Sequence, residues 1–460
     1  MIGREEIDRV AQELQVNPSD VERDYVFGWL LSKIFGGSPL GARLVLKGGN
    51  ALRKGYFPNT RYSGDLDFTT DGGFDPEELK RQLVDVCDAA SKDTGLRFEN
   101  DLAIVAEKSR LDKDLQVLEA RLYFHDFYGK PGSVIIKTQL DISEYERLIL
   151  QPSNRALIHP YSDGTSCSAT IRCVALEEVL ASKLKCLLQR RHVADLFDYV
   201  HWLAFGPERV NAAEVLQVFL RKTIYSQSPG AALGLLLGLP FQLIKAAWTR
   251  YIVCPIKSAL GFEDAVERFM KHLRELFSGY AEALGWRAQD IYFPAELRNV
   301  ILDAGSRMTL VRMVYKNSER LVEPYALKYM RLKSGAAREY FYGWNQSGGS
   351  SPPGMRTFVA GDFQRAEVTD IPFEPRYPVD VSKAGDASQS GQFSTSRRIP
   401  AFGITRPRRR ASSGSRYMFR CTSCNRKFFK STFDGTIRAH KRRGGSQCFG
   451  TYGSYIGTRY

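Results

Sequence analysis

Two aspartates one residue apart form the clearest chemical signature in this sequence of 460 residues. They stand in the stretch Asp65-Leu66-Asp67-Phe68, whose alternation of polar and apolar residues predicts a β-strand. Side chains two positions apart on a strand point to the same face, so the carboxylates of Asp65 and Asp67 are expected to lie together. Converging oxygens at about 2.1 Å are what Mg²⁺ requires. A pair of such ions activates an attacking hydroxyl and steadies the leaving group in phosphoryl transfer.

A glycine pair and a later aspartate complete this pattern. Gly48 and Gly49 follow a predicted short strand and precede a helix-like run at residues 50–55. Without side chains, they allow a phosphate to approach the backbone amides at the start of that helix. The third carboxylate is expected from another strand, and Asp141 lies in the predicted strand 134–142. Each piece alone is common, but the ordered set of strand, glycine pair, helix, Asp-x-Asp strand and later Asp strand is far more specific than any one piece.

The surrounding elements are predicted from capping and periodicity. Residues 75–94 form a helix with Asp75 as N-cap, Pro76 at the first position and Gly95 at its end. Residues 176–188 and 195–203 are helical, and helical spacing continues to about residue 284. After residue 300 the texture changes to short strands, predicted at residues 308–314, 323–329, 339–344, 356–359 and 364–368.

Four segments in this order resemble the motifs of the AbiEii/AbiGii-type nucleotidyltransferase toxins. They are residues 46–53 with Tyr56, 61–68, 176–185 with Arg190, and 194–198. The resemblance covers about residues 1–290 and implies an α+β fold, with a polymerase-β-type nucleotidyltransferase core and a helical C-terminal half. Asn50 stands where the family usually has Thr or Ser, Gly64 replaces an acidic residue, and Ala194 replaces an arginine.

The resemblance assigns roles residue by residue, beside the third carboxylate inferred above. The magnesium ligands are Asp65, Asp67 and Asp141. The catalytic set is Asp65, Asp67, Asp141, Lys183 and Asp195. The nucleotide-binding set is Gly48, Gly49, Asn50, Arg53, Lys183 and Arg190. Plainer alternatives stay open: Lys47 and Arg53 as solvent-facing charges, Lys183 as an exposed helix lysine, and Asp198 as a helix-surface carboxylate.

The family resemblance also implies a biological setting. Its members are bacterial toxins that transfer nucleotides from an NTP, several of them to the acceptor end of tRNA, which stops translation. A cognate antitoxin restrains them. The expected function is therefore that of the toxin arm of an abortive-infection or toxin–antitoxin pair, a form of phage defence.

A second resemblance begins beyond residue 300. Residues 314–373 are similar to the WYL-type, SH3-like β-barrels of bacterial regulators, with an opening Tyr315, a turn at residues 322–325, an aromatic strand at residues 340–344 and a closing Phe373. Such modules sense a ligand or contact nucleic acid. The plainer interpretation of the aromatic residues is a hydrophobic core.

Three cysteines and a histidine cluster near the end of the chain. Cys421 and Cys424 are separated by two residues, and His440 and Cys448 follow after gaps of 15 and 7 residues. Two thiolates on one knuckle, with a later His and Cys, predict a tetrahedral zinc site. Four protein ligands leave no open position, so this zinc is expected to be structural.

The positive charge is concentrated in the same part of the chain. Residues 381–460 contain 17 Lys or Arg and two acids, whereas residues 1–380 contain 48 basic and 49 acidic residues. Such asymmetry favours a polyanionic partner, and RNA or DNA is the usual one. A solvated basic tail is the alternative.

Composition bounds the remaining possibilities. The most apolar stretch, residues 231–244, contains Pro240 and is shorter than the ~20 residues of a membrane-spanning helix. It predicts a buried helix pair broken at Pro240, and no membrane partner is expected. The other five cysteines are scattered and suggest no disulfide framework, which favours a reducing, cytoplasmic compartment.

The sequence therefore predicts a magnesium-dependent nucleotidyltransferase that acts on RNA, with tRNA as the leading acceptor. The predicted domains are a core (1–170), a helical domain (171–300), a WYL-like barrel (301–378), a flexible basic linker (379–415) and a zinc-binding module (416–460). One alternative is a nucleic-acid-binding regulator with a vestigial transferase site. Another is a transferase that modifies a protein side chain.

Overall fold

The protein is described by a computed structural model in which the chain forms two compact units, Met1–Pro400 and Ala401–Tyr460. The structure describes residues 2–459 except 71, 113–114, 126, 128–135, 144–147, 207–208, 284–290, 333–336, 350–351, 390, 396–415, 422–423, 425, 431–435, 439, 442–446 and 449–452.

The first part of the large unit is a mixed α+β layer built on one seven-stranded sheet. Its elements are α1 (Arg4–Leu14), α2 (Pro18–Gly37), α3 (Leu40–Arg43), β1 (Leu44–Lys47), α4 (Gly48–Ala51), β2 (Asp65–Thr70), α5 (Pro76–Thr94), β3 (Ile104–Asp112), β4 (Leu115–Phe124), β5 (Ile136–Ser143), β6 (Ser153–Ala156) and β7 (Thr170–Cys173). The strand order is β3-β4-β5-β2-β1-β7-β6. A π-helical turn, Leu52–Tyr56, continues α4.

The local signals of helix α5 are confirmed. Asp75 accepts a hydrogen bond from the backbone N–H of Glu78 at 2.9 Å, which satisfies one of the free donors at the helix start. Gly95 ends the helix in the left-handed region, with a φ of 72°. One face of α5 is buried, and its residues Leu79 and Leu83 join the main hydrophobic core.

In the described part of the chain, seven further helices follow. They are α6 (Leu176–Gln189), α7 (Val193–Phe205), α8 (Ala212–Lys222), α9 (Pro229–Leu237), α10 (Phe241–Tyr251), α11 (Phe262–Leu276) and α12 (Ala295–Arg307). Helices α9 and α10 meet at a bend of 63° beside Pro240, as the sequence predicts. Within the described parts of the chain, no single helix is long and apolar enough to cross a membrane. Only this bent pair reaches that length and apolarity when its two helices are taken together.

A second sheet follows α12. Its strands are β8 (Thr309–Tyr315), β9 (Ser318–Arg331), β10 (Ala337–Ser347), β11 (Gly354–Phe358) and β12 (Phe363–Pro372), in the order β11-β10-β9-β8-β12. All five predicted strands are present. Among the described residues, the edge strands β11 and β12 are not paired with each other, so the predicted SH3-like barrel is not confirmed.

Helix α12 ties this sheet to the preceding helices. The domain boundary predicted between residues 300 and 301 falls inside α12. On this helix the buried Arg298 donates to Glu339 of β10 at 2.7 Å, with side chains 2% and 0% exposed. A buried charge needs such a partner, so the pair fixes α12 on the sheet.

The segment after β12 also packs on the large unit, although the sequence predicts a flexible linker from residue 379. Val381, Ala384 and Phe393 are buried. Asp386 accepts from Lys185 of α6 at 2.8 Å, and Gly385 accepts from the backbone of Ile224 at 3.0 Å. The described start of the predicted linker is therefore part of the fold, and residues 396–415 lie outside the described residues.

The small unit contains two short sheets. Its strands are β13 (Arg416–Cys421), β14 (Lys427–Lys430), β15 (His440–Lys441), β16 (Gln447–Cys448) and β17 (Gly453–Arg459). Strands β14, β13 and β17 form one sheet in that order, and β15 pairs with β16. Its buried cluster includes Cys421, Ile437 and Cys448. A hydrophobic core this small needs an additional stabilising element in order to fold.

Candidate active site

Two of the predicted acidic residues, Asp67 and Asp141, stand at adjacent register positions in the seven-stranded sheet, and Asp65 stands two positions earlier on β2. Strand β2 pairs with β1 so that Asp67 lies opposite Lys47, and it pairs with β5 in parallel register so that Asp67 lies beside Asp141. On the far side of β5, Asp141 pairs with Glu119 of β4. Four neighbouring strands thus place one basic and three acidic residues at adjacent positions. The sequence gives no signal for Glu119, because its place depends on how β4 and β5 pair.

Gly48 makes room at the end of β1. Its φ is +70°, a conformation that other L-residues rarely adopt, and a Cβ atom there would lie 2.6 Å from Oδ2 of Asp67. The glycine therefore allows the turn into α4 to run directly beside the carboxylate. Asn50, in the first turn of this helix, is 1% exposed, and its Nδ2 donates to the backbone carbonyl of Asp65. The side-chain amide expected to donate to a phosphate is thus used to hold β2.

Gly49 serves the loop that leads into β2. A Cβ atom at this position would lie 2.8 Å from Arg61 Nη2 and 2.9 Å from Ser63 Oγ. The missing side chain therefore allows the loop to pack closely. Ser63 in turn donates to Oδ1 of Asp65 at 3.2 Å, which helps to orient that carboxylate.

Helices α6 and α7 contribute a buried ion-pair network. Nζ of Lys183 lies 2.7 Å from Asp198 and 3.2 Å from Asp195, and both carboxylates are fully buried. Arg61 binds Asp198 through two nitrogens, at 2.7 and 2.9 Å. Arg190 binds Asp195 in the same two-nitrogen manner, at 2.7 and 2.8 Å. The alternatives of an exposed Lys183 and a surface Asp198 are therefore wrong.

The network keeps its members ionised. Burial lowers the pKa of Lys183, but Asp198 and Asp195 outweigh burial, so the net pKa is raised. Burial raises the pKa of Asp195, but Lys183 and Arg190 bring it below its ordinary value, and Arg61 and Lys183 do the same for Asp198. The hydrogen bond to Asp195 raises the pKa of Arg190, and Asp67 contributes to this increase. A cationic Lys183 and a cationic Arg190 follow.

A cavity of about 180 Å³ joins the two halves of the site. It is lined by Lys47, Gly48, Asp67, Val174, Val179, Ser182, Lys183, Cys186 and Arg190. Ligand pockets for drug-sized molecules usually hold about 300 Å³ or more, so this cavity suits a part of a ligand such as a phosphate. The cationic side chains of Lys183 and Arg190 reach the same space as the Asp67 carboxylate.

Arg53 does not belong to this cavity. It is 3% exposed, and its Nε donates to Asp24 of α2 at 2.6 Å. Its Nη1 donates to the backbone carbonyl of Thr60 at 2.6 Å, and its guanidinium lies 3.7 Å from the ring centroid of Tyr62. The solvent-facing alternative is wrong. The guanidinium is used inside the fold, where it holds the loop before β2, and we remove it from the nucleotide-binding set.

The acidic residues of strand β2 are of the kind that binds Mg²⁺. Asp65 and Asp67 alternate on β2 and are half-buried, and hard oxygens from a rigid strand are what this ion prefers. The close approach of Gly48 to Asp67 leaves this carboxylate without a side chain in front of it on that side. Asp141 is placed beside them by strand register alone.

The small unit contains a second candidate metal centre. One ligand atom from each of Cys421, Cys424, His440 and Cys448 lies within 4.8 Å of the others. The sulfurs of Cys421 and Cys448 are 3.8 Å apart, about the edge of a tetrahedron with ~2.3 Å zinc–sulfur bonds and far beyond a disulfide. Nδ1 of His440 is bonded to the carbonyl of Arg438 at 2.9 Å, which leaves Nε2 to face Cys424 at 3.2 Å.

Comparison with known protein families gives one match. Residues 29–253 match the family described as "Nucleotidyl transferase AbiEii toxin, Type IV TA system". The chain therefore carries an AbiEii-type nucleotidyltransferase domain.

Among solved structures, the chain is similar to MenT4, a nucleotidyltransferase toxin from Mycobacterium tuberculosis H37Rv, at 17% identity and a TM-score of 0.38, over 63% of this chain and 92% of that chain. A search of curated proteins gave no match.

The AbiEii-type domain contains the whole ion-pair network and all three predicted magnesium ligands. Two network members, Arg61 and Asp198, are absent from the predicted site set, although both stand in the motifs that resemble the family. Asp198 could have been found from spacing, because residues three apart on a helix share a face and Asp195 is three positions before it. Arg61 has no such local signal.

Proposed function

We propose that this protein is a toxin-type nucleotidyltransferase that transfers a nucleotide from an NTP to a hydroxyl of an RNA, with tRNA as the leading acceptor. The observation that carries the proposal is the cavity in which two cations held by buried carboxylates, Lys183 and Arg190, face Asp67 across Gly48. Such a site combines a place for a polyphosphate with a place for metal-bound oxygens. The family match supports the same reaction class.

Lys183 is the proposed triphosphate contact. A lysine has three N–H donors, and two of them are directed at Asp198 and Asp195. The third remains for a ligand in the cavity that this residue lines. Its ammonium is pre-oriented before substrate arrives, so it can stabilise charge that develops on the transferred phosphate without reorganising. Asp195 and Asp198 act through Lys183, Arg190 and Arg61 and are positioning residues in this proposal.

Asp65, Asp67 and Asp141 would hold Mg²⁺, which supplies activation of the acceptor hydroxyl and charge neutralisation at the leaving pyrophosphate. Ser63 orients the Asp65 carboxylate by its hydrogen bond, and Asn50 holds the backbone of the same residue. We assign Asp141 the further role of accepting the proton of the acceptor hydroxyl. We assign to Arg190, whose side chain is 55% exposed, a contact with the outer part of the triphosphate.

The small unit is the proposed RNA-binding module. Arg420, Arg426, Lys427 and Arg438 are exposed, and Phe429 exposes 47% of its surface beside them in the same small fold. Cations with an exposed aromatic ring suit a phosphate backbone and a stacked base. Because the matched family is a Type IV TA system toxin, we also propose a cognate antitoxin and a role in phage defence.

Zinc is the proposed staple of the small unit. The four ligand atoms of Cys421, Cys424, His440 and Cys448 are already gathered, and the strand pair β15–β16 sets His440 directly opposite Cys448. Three thiolates with one imidazole is a common structural zinc set. The zinc would hold the module that binds RNA and would take no part in the transfer.

The transfer reaction is testable directly. The protein is incubated with total bacterial RNA, Mg²⁺ and each α-³²P-labelled NTP in turn. The control variant is Asp65→Asn plus Asp67→Asn, matched by Asp85→Asn plus Asp101→Asn, whose carboxylates are exposed and outside the site. Label is expected in a tRNA-sized band for the wild type and the matched variant, with about a 10³-fold or greater loss in the control.

Each other outcome has a meaning. Label on protein instead of RNA would replace the acceptor and keep the reaction class. Absence of label on either, with tight nucleic-acid binding, would overturn the proposal in favour of the regulator, in which the five-stranded sheet acts as a WYL-like sensing module.

A further inference from the structure

A second concave site lies beside the ion-pair network, and the site described above does not use it. A cavity of about 350 Å³ is lined by Phe57, Asn59, His201, Phe205, Lys257 and Ser258, with Pro58 at its edge. It shares no lining residue with the cavity at Gly48. Its volume is within the range of pockets that hold a small organic group.

A buried histidine lines this space. His201 is 2% exposed, and within the described chain neither ring nitrogen makes a hydrogen bond of normal geometry, although the backbone of Asn59 interacts with the ring. Buried polar atoms in folded proteins are nearly always paired, so an imidazole that lines a cavity with its hydrogen-bonding capacity incompletely used can bind a ligand there. Burial lowers the pKa of His201 to about 4, with Asp198 opposing part of this effect. The neutral ring therefore offers one donor and one acceptor.

Aromatic rings and one cation surround this imidazole. Phe57 lies 6.1 Å from the His201 ring and Phe205 5.1 Å from it, measured between ring centroids. Phe205 is 43% exposed, which is unusual for a large apolar ring and leaves a face open for stacking. Lys257 stands exposed at the rim. A flat ring with hydrogen-bonding edges, joined to an anion, matches all three features, and a nucleotide has this chemistry.

The position of the pocket relates it to the acceptor. The loop that begins with Phe57 continues through Arg61 to Asp65, so one wall of the pocket leads directly into the carboxylate strand. On α7, His201 follows Asp198 by one turn, about 5 Å along the helix. A chain of nucleotides could therefore have one unit in the pocket while its terminus is near Asp65. The proposed NTP site is the separate cavity at Lys183 and Gly48.

We propose that the Phe57–His201–Phe205 pocket binds one unpaired nucleotide of the RNA acceptor, with its base against the aromatic rings and its phosphate at Lys257. The inference rests on the proposed transferase function and adds to it the requirement that the acceptor end be single-stranded, since only an unstacked base can enter. Any base can stack, so the pocket selects for strand state.

The test is photocrosslinking that does not depend on turnover. The full-length protein is mixed with a single-stranded RNA that carries 4-thiouridine near a 3′-deoxy end, which cannot accept a nucleotide, and crosslinked peptides are mapped. Adducts are expected on the peptides that contain Phe57 and His201–Phe205. Phe205→Ala and Lys257→Ala should each lower the yield of these adducts about ten-fold, while adducts on the small unit stay unchanged. Leu243→Ala and Lys92→Ala, exposed residues elsewhere, are the matched controls.

Steady-state kinetics give a second readout. Both pocket variants should raise KM for RNA about ten-fold, leaving kcat and KM for the NTP unchanged. His201→Phe keeps an aromatic ring and removes both ring nitrogens, and it should also raise KM for RNA. Adducts that are insensitive to these variants, or that form with 4-thio-UTP instead of RNA, would overturn the proposal. If crosslinks depend on the pocket but no transfer occurs, the proposed reaction fails and the pocket assignment stands.

Discussion

Gly48→Ala adds a single methyl group beside Asp67 and so tests whether the position of this carboxylate matters for the reaction. The new Cβ would lie 2.6 Å from Oδ2 of Asp67, whereas ordinary contacts begin at 3.4 Å, so the carboxylate or the turn must move by about 0.8 Å. Alanine at a φ of +70° also costs about 1–2 kcal/mol. A domain stable by about 5–15 kcal/mol stays folded under this strain, but misplacement of a reacting group by about 1 Å lowers a rate about 10²-fold.

The matched control is Gly64→Ala. Gly64 is exposed, it directly precedes Asp65, and a Cβ atom at this position has nothing within 4 Å. Initial rates of labelled nucleotide transfer, with thermal unfolding midpoints measured in parallel, compare the two variants. We expect Gly64→Ala to resemble wild type and Gly48→Ala to lose about 10²-fold in rate with an unfolding transition still present. Comparable rates in the two variants would refute the claim that Gly48 sets the position of Asp67.

Three further predictions concern the ion pairs and the small unit. Asp198→Asn removes the negative charge that Arg61 and Lys183 share. It should lower the free energy of unfolding by about 3–5 kcal/mol in denaturant titrations, whereas the exposed Asp101→Asn should lower it by less than about 0.5 kcal/mol. The pKa values of Asp195 and Asp198 are lowered in the folded state, so their contribution to the free energy of unfolding is complete above the ordinary aspartate pKa near 4. This contribution should decline as the pH falls through the lower pKa values of the folded state. In an acid titration of stability, the decline should be shallower for Asp198→Asn than for the wild type. Metal analysis should find one zinc per chain in the wild type and none in Cys448→Ser. A chelator should abolish the unfolding transition of the small unit and leave that of the large unit in place. A small-unit transition that is unchanged by the chelator would contradict a structural zinc.

Local signals in the sequence were sufficient where a few neighbouring residues decide the structure. The caps of α5 at Asp75 and Gly95 are set by short-range hydrogen bonding, and the break at Pro240 by a missing N–H and a ring clash. The alternation around Asp65 and Asp67 likewise identified strand β2. The Cys and His spacing gathered four ligand atoms as expected, because strands β15 and β16 bring His440 and Cys448 together.

Long-range pairing is what the sequence could not supply. Arg53 is surrounded by helical spacing that leaves a surface charge possible, and its burial depends on Asp24, 29 residues earlier, on another helix. Asp24 also binds Lys54 at 2.8 Å, so two adjacent cations enter the core for one carboxylate. The same limit applies to Glu119, which reaches the carboxylate row only through strand register, and to the open order of the second sheet, where aromatic spacing alone suggested closure.

Helix α6 connects these observations, because it is held from both of its faces. On one face Lys183 is fixed by Asp195 and Asp198 of α7. Two residues further along, Lys185 binds Asp386, and Gln189 lies 3.5 Å from the same carboxylate. Asp386 is 133 residues beyond the end of the family match at residue 253. The helix that presents the proposed triphosphate contact is therefore anchored partly by a segment outside the AbiEii-type domain, so the orientation of Lys183 depends on the chain as far as residue 386.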